Sequence, residues 1–137
     1  MTKVAVMLAN GFEEIEALTV VDVLRRAAIE CLMVGFDPEV TGSHGITVKV
    51  DEVWSGSLDH FDGIVLPGGM PGAANLRDHE GLIQSLKEAH ERGKTLAAIC
   101  AAPIVLDRAG LLDEKRYTCY DGFEKEIGTE HYVKEAV

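Results

Sequence analysis

Short apolar runs recur along this chain, each closed by a turn signal or a cysteine, and the segments between them are longer and amphipathic. Residues 3–9 form one such run, ended by Asn10-Gly11. Residues 30–36 form another, and residues 63–66 a third that stops at Pro67-Gly68-Gly69. Residues 95–100 run straight into Cys100. Runs of this length, bounded by Gly, Pro and Asn, predict buried strands. Over residues 12–28 the apolar positions Ile15, Leu18, Val21, Val23 and Leu24 recur at helical spacing. Glu13, Glu14 and Glu16 crowd the start of that segment and Arg25 and Arg26 its end, complementing a helix dipole. Residues 73–92 predict a second helix, with Leu76, Ile83 and Leu86 as its buried stripe and Gly93 as its stop. A short helix is expected over 103–109 and another over 123–127. Residues 42–54, with Gly45 and alternating Ile46, Val48 and Val50, predict a hairpin arm or sheet extension. Further strands are expected over 117–120 and 131–137.

Strands that are apolar throughout and alternate with helices predict a mostly parallel sheet covered on both faces, an α/β three-layer sandwich. Ligands of such sheets bind beyond the carboxyl ends of the strands. That rule gathers Asn10-Gly11, Pro67-Gly68-Gly69 and Cys100 on one edge.

Composition narrows the function classes. The 137 residues fit a single domain, with 47% hydrophobic and 26% charged positions as in ordinary globular chains. A net charge of −10 sets the surface against nucleic acid, whose phosphates it repels. No apolar run reaches the ~18–20 residues of a membrane span, and the start of the chain lacks a signal-peptide pattern. Three cysteines without a C-x-x-C pair predict neither a disulfide framework nor a zinc knuckle, and point to the cytoplasm. His60, His79 and His90 lie in polar stretches without ligand spacing, so neither a metal nor a cofactor is expected. Cys31 and Cys119 fall in strand-like runs and read as core. Trp54 reads as a packing or interface residue.

The chemistry concentrates at Thr95-Leu96-Ala97-Ala98-Ile99-Cys100-Ala101-Ala102-Pro103. A buried strand that stops at a cysteine and turns into a helix lifts the sulfur out of the sheet at a helix N-terminus. Unpaired N–H groups and the helix dipole there favour thiolate, predicting a pKa below the free value of about 8.5. The arrangement is the cysteine counterpart of a strand-turn-helix nucleophile elbow. The competing reading is a cysteine that only packs.

Three motifs stand in register: Gly11-Phe12-Glu13-Glu14-Ile15-Glu16, Leu66-Pro67-Gly68-Gly69 and Ala97-Ala98-Ile99-Cys100-Ala101-Ala102-Pro103. Together with Val21-Asp22-Val23-Leu24-Arg25-Arg26-Ala27 and Asn75-Leu76, they resemble the ThiJ/PfpI family, in the branch of the parkinsonism-associated deglycase. The resemblance implies a flavodoxin-like sandwich of the class I glutamine amidotransferase type. It implies Cys100 as nucleophile, Glu16 as its carboxyl partner, and the N–H groups of Gly69 and Ala101 as an oxyanion hole. A thiolate adding to an aldehyde or acyl carbon creates an oxyanion, which two preorganised donors stabilise. Glu16 serves the sulfur only when protonated, as donor or proton shuttle. Glu13 and Glu14 read instead as helix-start acids.

The implied activity is glyoxalase-like or deglycase-like, on small reactive carbonyls. The alternative is a redox-responsive chaperone or oxidative-stress sensor with Cys100 oxidised to sulfinate. A PfpI-like peptidase is the weaker alternative, because Tyr120 stands where many relatives carry histidine. His44 falls where relatives often carry an arginine near the site entrance, and reads as a polar turn residue. The family pattern also continues past this chain, with a further strand and a closing helix. A homodimer and a companion C-terminal segment are therefore the expected partners, besides the carbonyl substrate.

Overall fold

Lys3–Leu8 forms β1, the strand on which the sheet is built. Ala5, Val6, Met7 and Leu8 are all inaccessible to solvent, because successive side chains enter the layers above and below the sheet. The computed structural model describes residues 2–136. Its main sheet adds β2 (Glu30–Gly35), β5 (Glu52–Val53), β6 (Gly63–Leu66) and β7 (Thr95–Ala98) in the order β5-β2-β1-β6-β7. Every pairing in that sheet is parallel. A separate antiparallel hairpin, β3 (Glu39–Thr41) with β4 (Thr47–Lys49), is the arm expected from the alternation near Gly45.

One face of the sheet carries α2 (Gly72–Arg77), α3 (Glu80–Glu91) and α4 (Pro103–Arg108), whose Leu76, Ile83, Leu86 and Ile104 join Met7 and Leu66 in one core. The other carries α1 (Glu14–Arg26) and the hairpin, packing Ala17, Val21, Val40 and Val50 against Val6 and Leu8. Burial of each such large side chain contributes roughly 1.5–3 kcal/mol. The three-layer sandwich is thus the expected one.

Several local expectations are corrected. The single helix over 73–92 is two, because His79 leaves the helical region (ψ 99°) and its Nδ1 accepts the Leu82 N–H at 3.0 Å, capping α3. The apolar stripe of α1 is narrower than its spacing suggested: Ile15 is 74% and Val23 55% exposed, while Val21 is buried. The strands expected over 117–120 and 131–137 reduce to one isolated parallel bridge, Tyr117 with Tyr132. Two hydrogen bonds flank it, and no ladder extends from it through residue 136; Val137 lies outside the described residues. The short helix over 123–127 is present as α5 (Glu124–Ile127).

Candidate active site

Three strand ends build the site, those of β1, β6 and β7. Beyond β7 the chain enters Cys100 at φ +62°. Holding a non-glycine residue there costs on the order of 1–3 kcal/mol and needs surrounding bonds. They are present: Ile99 N–H donates to the Leu66 carbonyl (3.2 Å), and Tyr120 N–H donates to the Cys100 carbonyl (2.8 Å). Beyond β1, Phe12 is buried and anchors the loop leading to α1. Glu13 caps that helix, its carboxylate accepting the Glu16 N–H at 2.9 Å. Glu13 N–H in turn donates to the Gly68 carbonyl at 2.9 Å, tying the β1 loop to the turn after β6.

These ties place Glu16 beside Cys100. Gly68 N–H donates to Glu16 Oε1 at 2.9 Å. The Glu16 carboxyl group and the N–H groups of Gly69 and Ala101 surround the Cys100 sulfur closely enough to act on its proton. The four residues singled out in the sequence therefore meet at one sulfur. Gly68 is the tightest point of the approach: a Cβ on it would stand 2.6 Å from Glu16 Oε1 and 2.7 Å from Cys100 Cβ. Gly69, at φ +92°, leaves no room for a side chain against the Glu13 N–H.

The protonation of Cys100 differs from the sequence expectation. Burial pushes the thiol up, the Glu16 charge and hydrogen bond push it further, and the Ala101 and Gly69 N–H groups pull it back, leaving it at about 11. The helix dipole does not reverse this balance, because α4 begins only at Pro103 and is six residues long.

Glu14 is the site neighbour that the sequence reading misplaced, whereas His44 is the polar turn residue expected. Glu14 is 5% exposed rather than a solvent-facing helix acid. Its carboxylate accepts from His44 N–H (2.9 Å), Ile46 N–H (3.2 Å) and His44 Nδ1 (3.0 Å). Some thirty residues separate these partners, and no local pattern links them; Gly42, whose Cβ would stand 2.5 Å from Glu14 Oε2, is the one trace in the sequence. Glu13, Glu14 and His44 offer potential metal-ligand atoms within 4.8 Å of one another, although those of Glu14 already accept hydrogen bonds. His60 pairs with Glu52 at 2.8 Å, and His79 stacks on Phe36 at 3.9 Å with Trp54 edge-on to both rings. Cys31 is buried in β2 as expected, but Cys119 is only half-buried and lies outside any strand. No helix among the described residues is long and apolar enough to cross a membrane.

An α/β sandwich with a cysteine on a strained strand-to-helix turn, ringed by a carboxyl group and two backbone donors, has the architecture of a nucleophile-elbow protein. The chain as a whole narrows that class. Residues 2–137 match the DJ-1/PfpI family, and the chain belongs to it. It is 36% identical over 129 residues to protein DJ-1 homolog B of Arabidopsis thaliana, covering 91% of this chain but 30% of that one. Against DJ-1 homolog A of the same plant it spans 33% of the relative, so it covers about a third of these two proteins. With deglycase PfpI of Pyrococcus furiosus it shares 32% identity over 140 residues, covering 98% of this chain and 84% of the relative. Its fold matches oxidised DJ-1 of Toxoplasma gondii with a TM-score of 0.92 at 37% identity, over 98% of this chain and 76% of that one. DJ-1beta of Drosophila melanogaster matches with a TM-score of 0.91 at 33% identity, over 99% and 76%.

Proposed function

We propose that this chain is a cysteine-dependent enzyme acting on reactive carbonyls, glyoxalase-like or deglycase-like, with Cys100 as nucleophile and Glu16 as proton carrier. The observation that carries the reading is the convergence of the Glu16 carboxyl and the Gly69 and Ala101 N–H groups on one sulfur. The deglycase names of archaeal relatives agree with it.

With methylglyoxal, Cys100 gives its proton to Glu16 and its sulfur adds to the aldehyde carbon. The C–S bond forms, the carbonyl π pair moves to oxygen, and that oxyanion accepts from Gly69 and Ala101. Glu16 then protonates the oxygen, completing a hemithioacetal. As carboxylate again, it takes the hydrogen of that carbon as a proton and returns a proton to the neighbouring carbon, while the hydroxyl proton passes to the second oxygen. The result is a lactoyl thioester, which water hydrolyses to lactate with release of the thiol. Methylglyoxal plus water becomes lactate, and no outside oxidant or reductant is consumed. The test is lactate formation without glutathione, expected to vanish in Cys100→Ala and to fall about 10²-fold or more in Glu16→Gln. A folded wild-type chain that makes no lactate and removes no glyoxal adduct sinks the proposal.

A second reading is a redox-responsive chaperone or sensor. Two equivalents of peroxide, each reduced to water, would carry the Cys100 thiol through sulfenate to sulfinate, whose oxygens suit the same donors. The oxidised form of the Toxoplasma gondii relative favours keeping it. The peptidase reading is weakest, since Tyr120 is 63% exposed and phenol is a poor general base near neutral pH. For assembly, the proposal is a homodimer through α1 and the hairpin turn, where Ile15, Val23 and the 51%-exposed Ile46 lie uncovered. A monomeric mass at micromolar concentration contradicts it. A companion segment is proposed to add a strand at β7, one of the two edges of the described sheet.

A further inference from the structure

We propose that Glu14 is a positioning residue for the Cys100–Glu16 pair, acting through the hairpin turn that its buried carboxylate pins to the start of α1. The inference rests on the reading of Cys100 and Glu16 as the reactive pair. It starts from an oddity: Glu14 is the one buried carboxylate among the described residues, and its side-chain hydrogen bonds go to Ser43, His44 and Ile46, none of them a group around the sulfur.

What Glu14 holds is the turn over residues 42–46. Oε2 gathers the His44 and Ile46 N–H groups, and Oε1 faces the His44 ring. The carboxylate can only accept, so the His44 Nδ1 facing it carries a proton. The turn closes against the loop after β1: Ser43 N–H donates to the Phe12 carbonyl and Gly11 N–H to the Thr41 carbonyl, each at 2.8 Å. That loop is in turn bonded to the Gly68 carbonyl through Glu13 N–H and, through the Gly11 carbonyl, to Gly72 N–H at 3.2 Å. The hairpin turn, the β1 loop and the Gly68-Gly69 turn are thus stacked layers, with Cys100 behind the last. Glu14 clamps the outermost layer. Removing the clamp frees the β1 loop from one side, and Glu16, standing at its end, loses its fixed approach to the sulfur.

Burial opposes the Glu14 charge, but the hydrogen bonds from His44 and the backbone outweigh it and bring the carboxyl to about 2. The clamp therefore stays charged throughout the range in which Cys100 reacts.

The experiment is the pH profile of alkylation by iodoacetamide, resolved by mass spectrometry for Cys100 and for the buried Cys31, in wild type, Glu14→Ala, Glu14→Gln and Glu16→Gln. Losing Glu16's charge from beside the sulfur lowers the Cys100 midpoint. Glu14→Ala is expected to move it down by about one unit, roughly tenfold more thiolate at a fixed pH below it. The shift should go in the direction seen in Glu16→Gln, with Cys31 still protected. Glu14→Gln, whose amide oxygen still accepts from the His44 and Ile46 N–H groups, should hold the midpoint near wild type. An unmoved Cys100 midpoint in Glu14→Ala overturns the proposal, as does Cys31 losing protection in step, which marks general loosening. Should Glu14→Ala not fold, His44→Ala carries the test. It removes the ring donor to Glu14, together with the ring's 3.8 Å contact to Glu13, and leaves the backbone donors; a smaller shift of the same sign is expected, and no shift refutes the clamp. This titration needs no substrate. A chain that turns over no carbonyl but shows the Glu14 effect defeats the enzymatic reading and leaves the positioning role standing.

Discussion

Gly68 and Glu16, 52 residues apart in sequence, are joined by a hydrogen bond from the glycine N–H to Glu16 Oε1 at 2.9 Å. The bond aims the other carboxyl contacts at the Cys100 sulfur, and it forms only because position 68 lacks a side chain. In Gly68→Ala the new Cβ would stand 2.6 Å from Oε1 and 2.7 Å from Cys100 Cβ. One of the two residues must move. Turnover is expected to fall by about tenfold or more, since misplacement near 1 Å can cost 10²-fold. Steady-state kinetics beside a thermal melt checks this; unchanged kcat/KM refutes the packing argument.

Cys100 should be slow to alkylate at neutral pH in wild type and should react as pH climbs toward about 11. Glu16→Gln removes the repelling charge and should raise the reaction rate at pH 8 while lowering carbonyl turnover. The stability sign follows from linkage. The folded thiol binds its proton more tightly than the unfolded one, whose ordinary value is 9.0. Its contribution is therefore complete below about pH 9 and is lost as pH rises through 11. Urea melts at pH 7 and pH 10 on wild type and Cys100→Ala test that sign.

Glu14 works in the opposite direction. Its folded carboxyl is lowered from the ordinary 4.5 to about 2. The clamp on the hairpin turn should hold at every pH above 4.5 and fade between there and pH 2. Amide exchange at His44 and Ile46 reports it directly. Equal exchange protection at pH 7 and pH 5 is expected, and early loss by pH 5 counts against the clamp.

Phe12 is 1% exposed and holds the β1 loop in the α1-side core. Phe12→Ala should cost about 3–5 kcal/mol in chemical denaturation. Because the same loop ends at Glu13 and Glu16, it should lower turnover more than an equally destabilising Leu86→Ala on the opposite face.

His79→Ala should cost about 1 kcal/mol through the lost cap on α3. The His79 ring packs edge-on to Trp54 at 5.5 Å, so Trp54 fluorescence should change in the folded state. An identical spectrum refutes the packing around Trp54.

Much of this molecule was legible along the chain because the information is local. β1, β2, β6 and β7 are apolar runs cut by turn residues, and their covered parallel sheet follows from having no polar face to show to water. The Cys100 turn was legible for the same reason, as a strand running into small residues and proline. The four groups around the sulfur came from motif register rather than from periodicity. Tertiary structure alone decided the rest. Ile15 and Val23 keep helical spacing, yet the narrow contact of α1 with the sheet leaves them outside. His79 divides a helix because its ring finds Phe36 and Trp54. The Cys100 thiol sits high because burial and a neighbouring carboxylate outweigh a short, distant helix. Glu14 differs from Glu13 and Glu16 in nothing the sequence displays. It is the fold that brings a turn thirty residues away onto its carboxylate, and only that long-range pairing can turn an ordinary helix acid into a buried clamp.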